Sequence, residues 1–105
     1  MKIKIKRATV NGVKEDEGDF LEINGYQFAF VKDPCGLYFL IELHTGANVC
    51  TVDSDDNTKS FALNFMKGKV LRISKENIEA GITLFKKEFP EFSYPLNEPI
   101  NISAL

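Results

Sequence analysis

The chain has 105 residues, enough for one domain built on a single core. Apolar residues make up 44% and charged ones 27%, a globular balance that argues against disorder. The formal net charge of −2 gives no global pull toward nucleic acid or anionic membrane, and no apolar run approaches the roughly 20 residues of a membrane-spanning helix.

Residues 2–10 alternate basic and apolar side chains, with Ile3, Ile5 and either Ala8 or Val10 inward. They read as an edge strand guarded by lysines. The positive start is not followed by the apolar stretch of a signal peptide, so a cytoplasmic location is expected. Asn11-Gly12 reads as a turn and 14–19 as a charged loop.

Residues 20–52 read as a meander of three hairpins. Asn24-Gly25 accepts the positive φ of a type I′ turn and pairs Ile23 with Tyr26 and Leu21 with Phe28. A four-residue turn, Asp33-Pro34-Cys35-Gly36, would pair Phe30 with Phe39, Phe28 with Ile41 and Tyr26 with Leu43. A Thr45-Gly46 turn would pair Ile41 with Cys50 and Phe39 with Val52. Opposed residues share a face. One face then collects Leu21, Ile23, Tyr26, Phe28 and Phe30 together with Phe39, Ile41, Leu43, Cys50 and Val52. The other carries Glu22, Gln27, Ala29, Val31, Tyr38, Leu40, Glu42, Val49 and Thr51, a mixed surface. Cys35 and Cys50 fall too far apart along the strands for a disulfide, and reduced thiols suit a cytosolic protein.

Residues 53–60 read as a polar loop. For 61–66 two readings stay open: an alternating strand, or a short helix over 58–67 capped by Asp56 or Thr58. Residues 70–73 read as a short strand. Ser74 caps a helix running to about Glu88, whose Ile78, Ile82, Phe85 and Phe89 form one stripe to cover the aromatic sheet face. Gly81 on that stripe fits a close approach to the sheet, and Pro90 ends the helix. The 90–105 tail, with Pro90, Pro95 and Pro99, is extended and can dock Ile100, Ile102 and Leu105 on the body. The expected fold is a single α+β domain, an antiparallel meander with one C-terminal amphipathic helix.

No catalytic, cofactor or metal signature stands out. His44 is the only histidine, and neither cysteine falls within reach of it in this register. One histidine and two distant cysteines make no zinc site. Asp53-Ser54-Asp55-Asp56-Asn57-Thr58 opens like a calcium loop, but Thr58 and Asn64 stand where glycine and a bidentate glutamate are needed. Glu42, Tyr38 and His44 share only a face, a thin basis for an enzyme. Two basic clusters, Lys2-Lys4-Lys6-Arg7 and Lys67-Lys69-Arg72-Lys75, would form a phosphate-binding stripe if their strands were neighbours. The acidic run Glu15, Asp16, Glu17, Asp19 and Glu22 offsets the first.

The run Tyr26-Gln27-Phe28-Ala29-Phe30, followed by Gly36-Leu37-Tyr38-Phe39 and Glu42-Leu43-His44-Thr45-Gly46, resembles small uncharacterised proteins of phages and mobile elements in Gram-positive bacteria. The resemblance covers about half the chain, and 53–73 is longer than the step to the helix expected there. It implies an accessory role, such as binding or inhibiting a host or defence protein. It carries over no catalytic residue.

The functional expectation is therefore a non-catalytic protein-interaction module, with no cofactor, facing an unidentified protein or a second copy. Its expected surface is Val31, Tyr38, Leu40 and Val49, with Tyr38 as anchor. The competing coverage of that face by the N-terminal strand, the tail or 61–66 would bury it. The alternative function is nucleic-acid binding through Lys67, Lys69, Arg72 and Lys75.

Overall fold

A computed structural model describes residues 1–34, 36–53 and 58–101. The fold is α+β. Five antiparallel strands, β1 (Lys2–Thr9), β2 (Gly12–Ile23), β3 (Tyr26–Asp33), β4 (Leu37–Glu42) and β5 (Asn48–Asp53), lie in sequence order in one open sheet. Two helices follow, α1 (Lys59–Leu71) and α2 (Lys75–Glu88). Residues 54–57 of the calcium-like loop (with the alternative cap Asp56), Cys35, and the last four residues (with Ile102 and Leu105) fall outside the described residues.

The charged segment 14–19 is strand rather than loop. It is the first half of β2, and it pairs Glu15 with Lys6, Glu17 with Lys4 and Asp19 with Lys2. Opposite charges directly across an antiparallel ladder stabilise it, so acids unfavourable in an isolated strand become favourable beside β1. At Gly18 and Asp19, β2 passes from β1 to β3. A Cβ at Gly18 would lie 2.6 Å from the Phe30 carbonyl oxygen, so glycine lets the strand bend tightly there.

The first hairpin is as expected. Asn24 and Gly25 take φ of 54° and 83°, and Ile23 faces Tyr26. The second differs by one residue. Asp33 pairs with Leu37, leaving a three-residue loop closed by Gly36 at φ 93°, with the Gly36 N–H donating to the Asp33 carbonyl at 3.1 Å. A left-handed glycine closing a three-residue hairpin loop is a common solution that competes with the four-residue turn. The shorter loop pairs Phe30 with Leu40 and Val31 with Phe39. The third hairpin slips by one in compensation, pairing Leu40 with Cys50 and Tyr38 with Val52. The result is that β4 alone is turned over. Phe39, Ile41 and Leu43 move to the far face, and Tyr38 and Leu40 join Phe28, Phe30, Cys50 and Val52 beneath the helices.

Both sheet faces are therefore apolar and both are covered. On the helical side, Thr58 caps α1 by accepting from the Phe61 N–H at 3.2 Å, and Ala62, Met66 and Val70 are fully buried against the sheet. The helical reading of 61–66 holds, and 70–73 is the end of α1 and its exit rather than a strand. Small Ala62 and flexible Met66 let α1 sit close to the sheet. The Ser74 cap and the start of α2 are as expected, but α2 buries no residue completely. Nothing lies within 4 Å of a Cβ added at Gly81, so this glycine marks no close approach.

On the far side, Ile5, Ala29, Val31, Ile41 and Leu43 form a second cluster with Ile3, Phe20, Phe39 and Ile100 around it. The sheet curls to enclose it, and the Ala8 N–H reaches the Gly46 carbonyl at 2.8 Å. Arg7 lies inside the curl, its guanidinium 5.1 Å from the Phe39 ring centre and near both Asp33 and Asp16. The tail closes the rest. The Gln27 side-chain amide exchanges two hydrogen bonds with the Ile100 backbone, at 2.6 and 2.8 Å.

Candidate functional site

The four residues expected to form an exposed patch do not share a surface. Val31 and Leu40 are 0% exposed and Tyr38 is 5% exposed. Val31 lies in the far core, whereas Tyr38 and Leu40 lie beneath α1, with the Tyr38 ring stacked on Phe30 at 5.1 Å. The inverted β4 is the cause. Val49 on β5 stays exposed.

Glu42, His44 and Tyr38 do not converge on a catalytic site either. The Glu42 carboxylate is buried and accepts from the His44 N–H at 2.6 Å, the Thr45 N–H at 3.0 Å and the Thr45 hydroxyl at 2.7 Å. It holds the β4–β5 loop in shape. The His44 ring stacks on Tyr94, with centroids 6.3 Å apart. Among the described residues no cluster of His, Cys, Asp or Glu has the makings of a metal site.

The basic clusters are not adjacent strands. Lys2, Lys4 and Lys6 face the acids of β2, while Lys67, Lys69 and Arg72 ride on α1 or just beyond its end and Lys75 opens α2. Lys59 at the start of α1 and Lys2 both reach Asp19, at 2.8 and 3.5 Å. The hydrogen bond from Lys59 is the main influence holding the Asp19 carboxyl below its usual pKa, with burial opposing it. The first cluster thus meets the amino end of α1, and the second sits at the carboxyl end, about 20 Å away at 1.5 Å per residue.

The feature that stands out is an apolar groove beneath α2. Only Arg72, Ile73 and Ser74 separate the helices, so α2 starts close to where α1 ends. Of its stripe, Ile78 packs against the core, and Ile78, Ile82 and Phe85 all stay partly exposed. The cavity is about 260 Å3 and is lined by Phe28, Val70, Ile73, Ile78, Ile82 and Phe85. Val49 and Ala47 form the opposite lip. Val49 and Ile73 are exposed at 46% and 38%. The polar groups at the floor, Glu42 and Thr45, are bonded to each other. This volume falls below the range of about 300–1,000 Å3 for small-molecule pockets, and its lining suits one or two apolar side chains.

Sequence reasoning placed the Ile78–Ile82–Phe85 stripe in the core and so missed the groove. The available signal was the combination of two amphipathic segments, of which only the first, with Ala62 and Met66, can pack closely. Two other depressions are more polar. One of about 960 Å3 lies between β1 and the tail and is ringed by Lys4, Lys6, Glu15, Glu17, Glu91 and Glu98. Another, of about 390 Å3, holds Tyr26, whose hydroxyl donates to Glu79 at 2.6 Å; that bond pushes the phenol up to about 12.

No family model, curated protein or solved structure matches the chain. No helix among the described residues is long and apolar enough to cross a membrane.

Proposed function

We propose that the chain is a non-catalytic protein-interaction module that receives an apolar side chain of a partner in the groove beneath α2. The observation that carries this reading is the incomplete burial of the Ile78–Ile82–Phe85 stripe over a cavity rimmed by exposed Val49 and Ile73. A monomeric helix with such a stripe normally buries it. A partner side chain filling the groove would gain about 1.5–3 kcal/mol from its own burial, before the gain from covering the rim. The resemblance to phage and mobile-element proteins makes a host or defence protein the first class of partner to test.

The test compares proteins retained from a host-cell extract by the native chain and by Ile73→Asp, with thermal midpoints measured in parallel. A discrete partner retained by the native chain and lost from the folded variant supports the reading. Equal retention by both, or no retained partner, overturns it.

A further inference from the structure

We infer that the outer face of α1 docks an acidic segment of a partner protein that carries apolar side chains among its carboxylates. This surface is separate from the groove, since neither Phe61 nor Phe65 lines that cavity.

The helical repeat places Phe61, Phe65, Gly68 and Arg72 on one stripe, opposite buried Ala62, Met66 and Val70. Phe61 and Phe65 are 54% and 49% exposed, and their rings lie against each other with centroids 6.3 Å apart. A Cβ at Gly68 would meet nothing within 4 Å, so the stripe dips between Phe65 and Arg72. From Phe61 to Arg72 it runs about 16 Å, close to three helical turns.

Charge decides the partner. From Lys59 to Lys75 the sequence has five cations and no acid, in a chain whose net charge is −2. Lys59 is bound to Asp19, but Lys67, Lys69, Arg72 and Lys75 make no ion pair among the described residues. Lys69 in the last turn suits the helix dipole, but the first turn has no acid, where the dipole would favour one. Helix stability therefore does not account for the one-sided charge. Exposed phenylalanines beside cations that have no acidic partner among the described residues complement carboxylates beside apolar side chains.

The same features fit a nucleic acid less well. Lys69 Nζ lies 5.9 Å from the Phe65 ring centre, on a face a stacked base would need. Only Lys69 and Arg72 reach along the aromatic stripe, so few phosphates would be neutralised there, and phosphate neutralisation is what drives sequence-independent nucleic-acid binding.

The experiment uses the full chain and three labelled probes, read by fluorescence anisotropy: a helix-forming peptide of glutamates and leucines, the same peptide with every leucine replaced by serine, and oligothymidylate. The Glu-Leu peptide is expected to bind, and the Glu-Ser peptide to bind at least about tenfold more weakly. Phe61→Ser/Phe65→Ser should weaken Glu-Leu binding by a similar factor, and Lys69→Glu/Arg72→Glu serves as an independent disruption, with circular dichroism confirming each fold. A Val49→Ser variant, which alters the groove lip without adding charge beside Arg72, should keep the binding, which separates this surface from the groove. Equal binding of both peptides, preferential binding of oligothymidylate, no effect of either double substitution, or no binding overturns the inference.

Discussion

The Asn97 side-chain amide brackets the backbone of Lys6 as a neighbouring strand would. Its Oδ1 accepts from the Lys6 N–H at 2.6 Å, and its Nδ2 donates to the Lys6 carbonyl at 2.7 Å and to the Leu43 carbonyl at 2.9 Å. One side chain thus ties the edge of β1 to the end of β4 and closes the curl over the second core. Asn97→Ala should lower stability by about 1–3 kcal/mol, because it removes three hydrogen bonds, two of them solvent-accessible. Denaturant unfolding gives the value, and an unchanged midpoint would mean that the tail is not a structural strap.

Gly46 and Gly68 should respond to alanine in opposite directions. Gly46 has φ 71°, and a Cβ there would collide with Leu96 and sit 3.0 Å from Ala8 N. Gly46→Ala should cost about 2–3 kcal/mol through backbone strain and forced separation of the tail. Gly68 is inside α1 with open space around it. Gly68→Ala should stabilise the protein by about 1 kcal/mol through helix propensity alone. Thermal melts of the two variants check both signs.

Tyr38 discriminates between a surface and a core assignment of β4. With its ring stacked on Phe30 and almost fully buried, Tyr38→Ala should cost about 3–5 kcal/mol. A change within about 0.5 kcal/mol is what a surface position would give, and chemical denaturation separates the two.

Most of the element order was legible in the sequence, because turn residues and apolar periodicity carry it. The Asn24-Gly25 turn and the Ser74 cap stand as expected, and Ile78, Ile82 and Phe85 lie on one helix, though that helix buries none of them completely. The orientation of β4 was not legible. It depends on whether the loop after Asp33 has three or four residues, and Pro34 and Gly36 fit either length. Because the neighbouring hairpin slipped in compensation, β5 kept its face and the error stayed confined to one strand. That single inversion removed the expected patch, since Tyr38 and Leu40 went inside. The strand character of 14–19 was hidden for a different reason: its acids become favourable only opposite the lysines of β1, a pairing that no local signal reports. The groove was hidden because periodicity says which side chains share a stripe, not how closely the helix approaches the sheet.

Tyr26 offers a pH-dependent check on the seating of α2. Its folded-state phenol is raised to about 12, chiefly by the hydrogen bond to Glu79, against an ordinary value near 10. A raised folded pKa means that the linked stabilisation is complete below the unfolded value and disappears as pH rises through about 12. Ultraviolet titration should find Tyr26 ionising late, alongside Tyr94, whose phenol is also raised by burial, and Glu79→Gln should move only the Tyr26 component toward the ordinary range. Persistence of the high value in that variant would place its cause elsewhere.

The most direct measurement is in-cell photo-crosslinking with a photoreactive side chain at position 49 on the groove lip, and at position 10 as the control. Val10 is fully exposed at the β1–β2 turn and does not line the groove. A discrete crosslinked protein at position 49 and none at position 10 is the predicted result, and its mass distinguishes a heterologous partner from a second copy. No adduct at position 49, or the same adducts at both positions, would contradict a docking groove beneath α2.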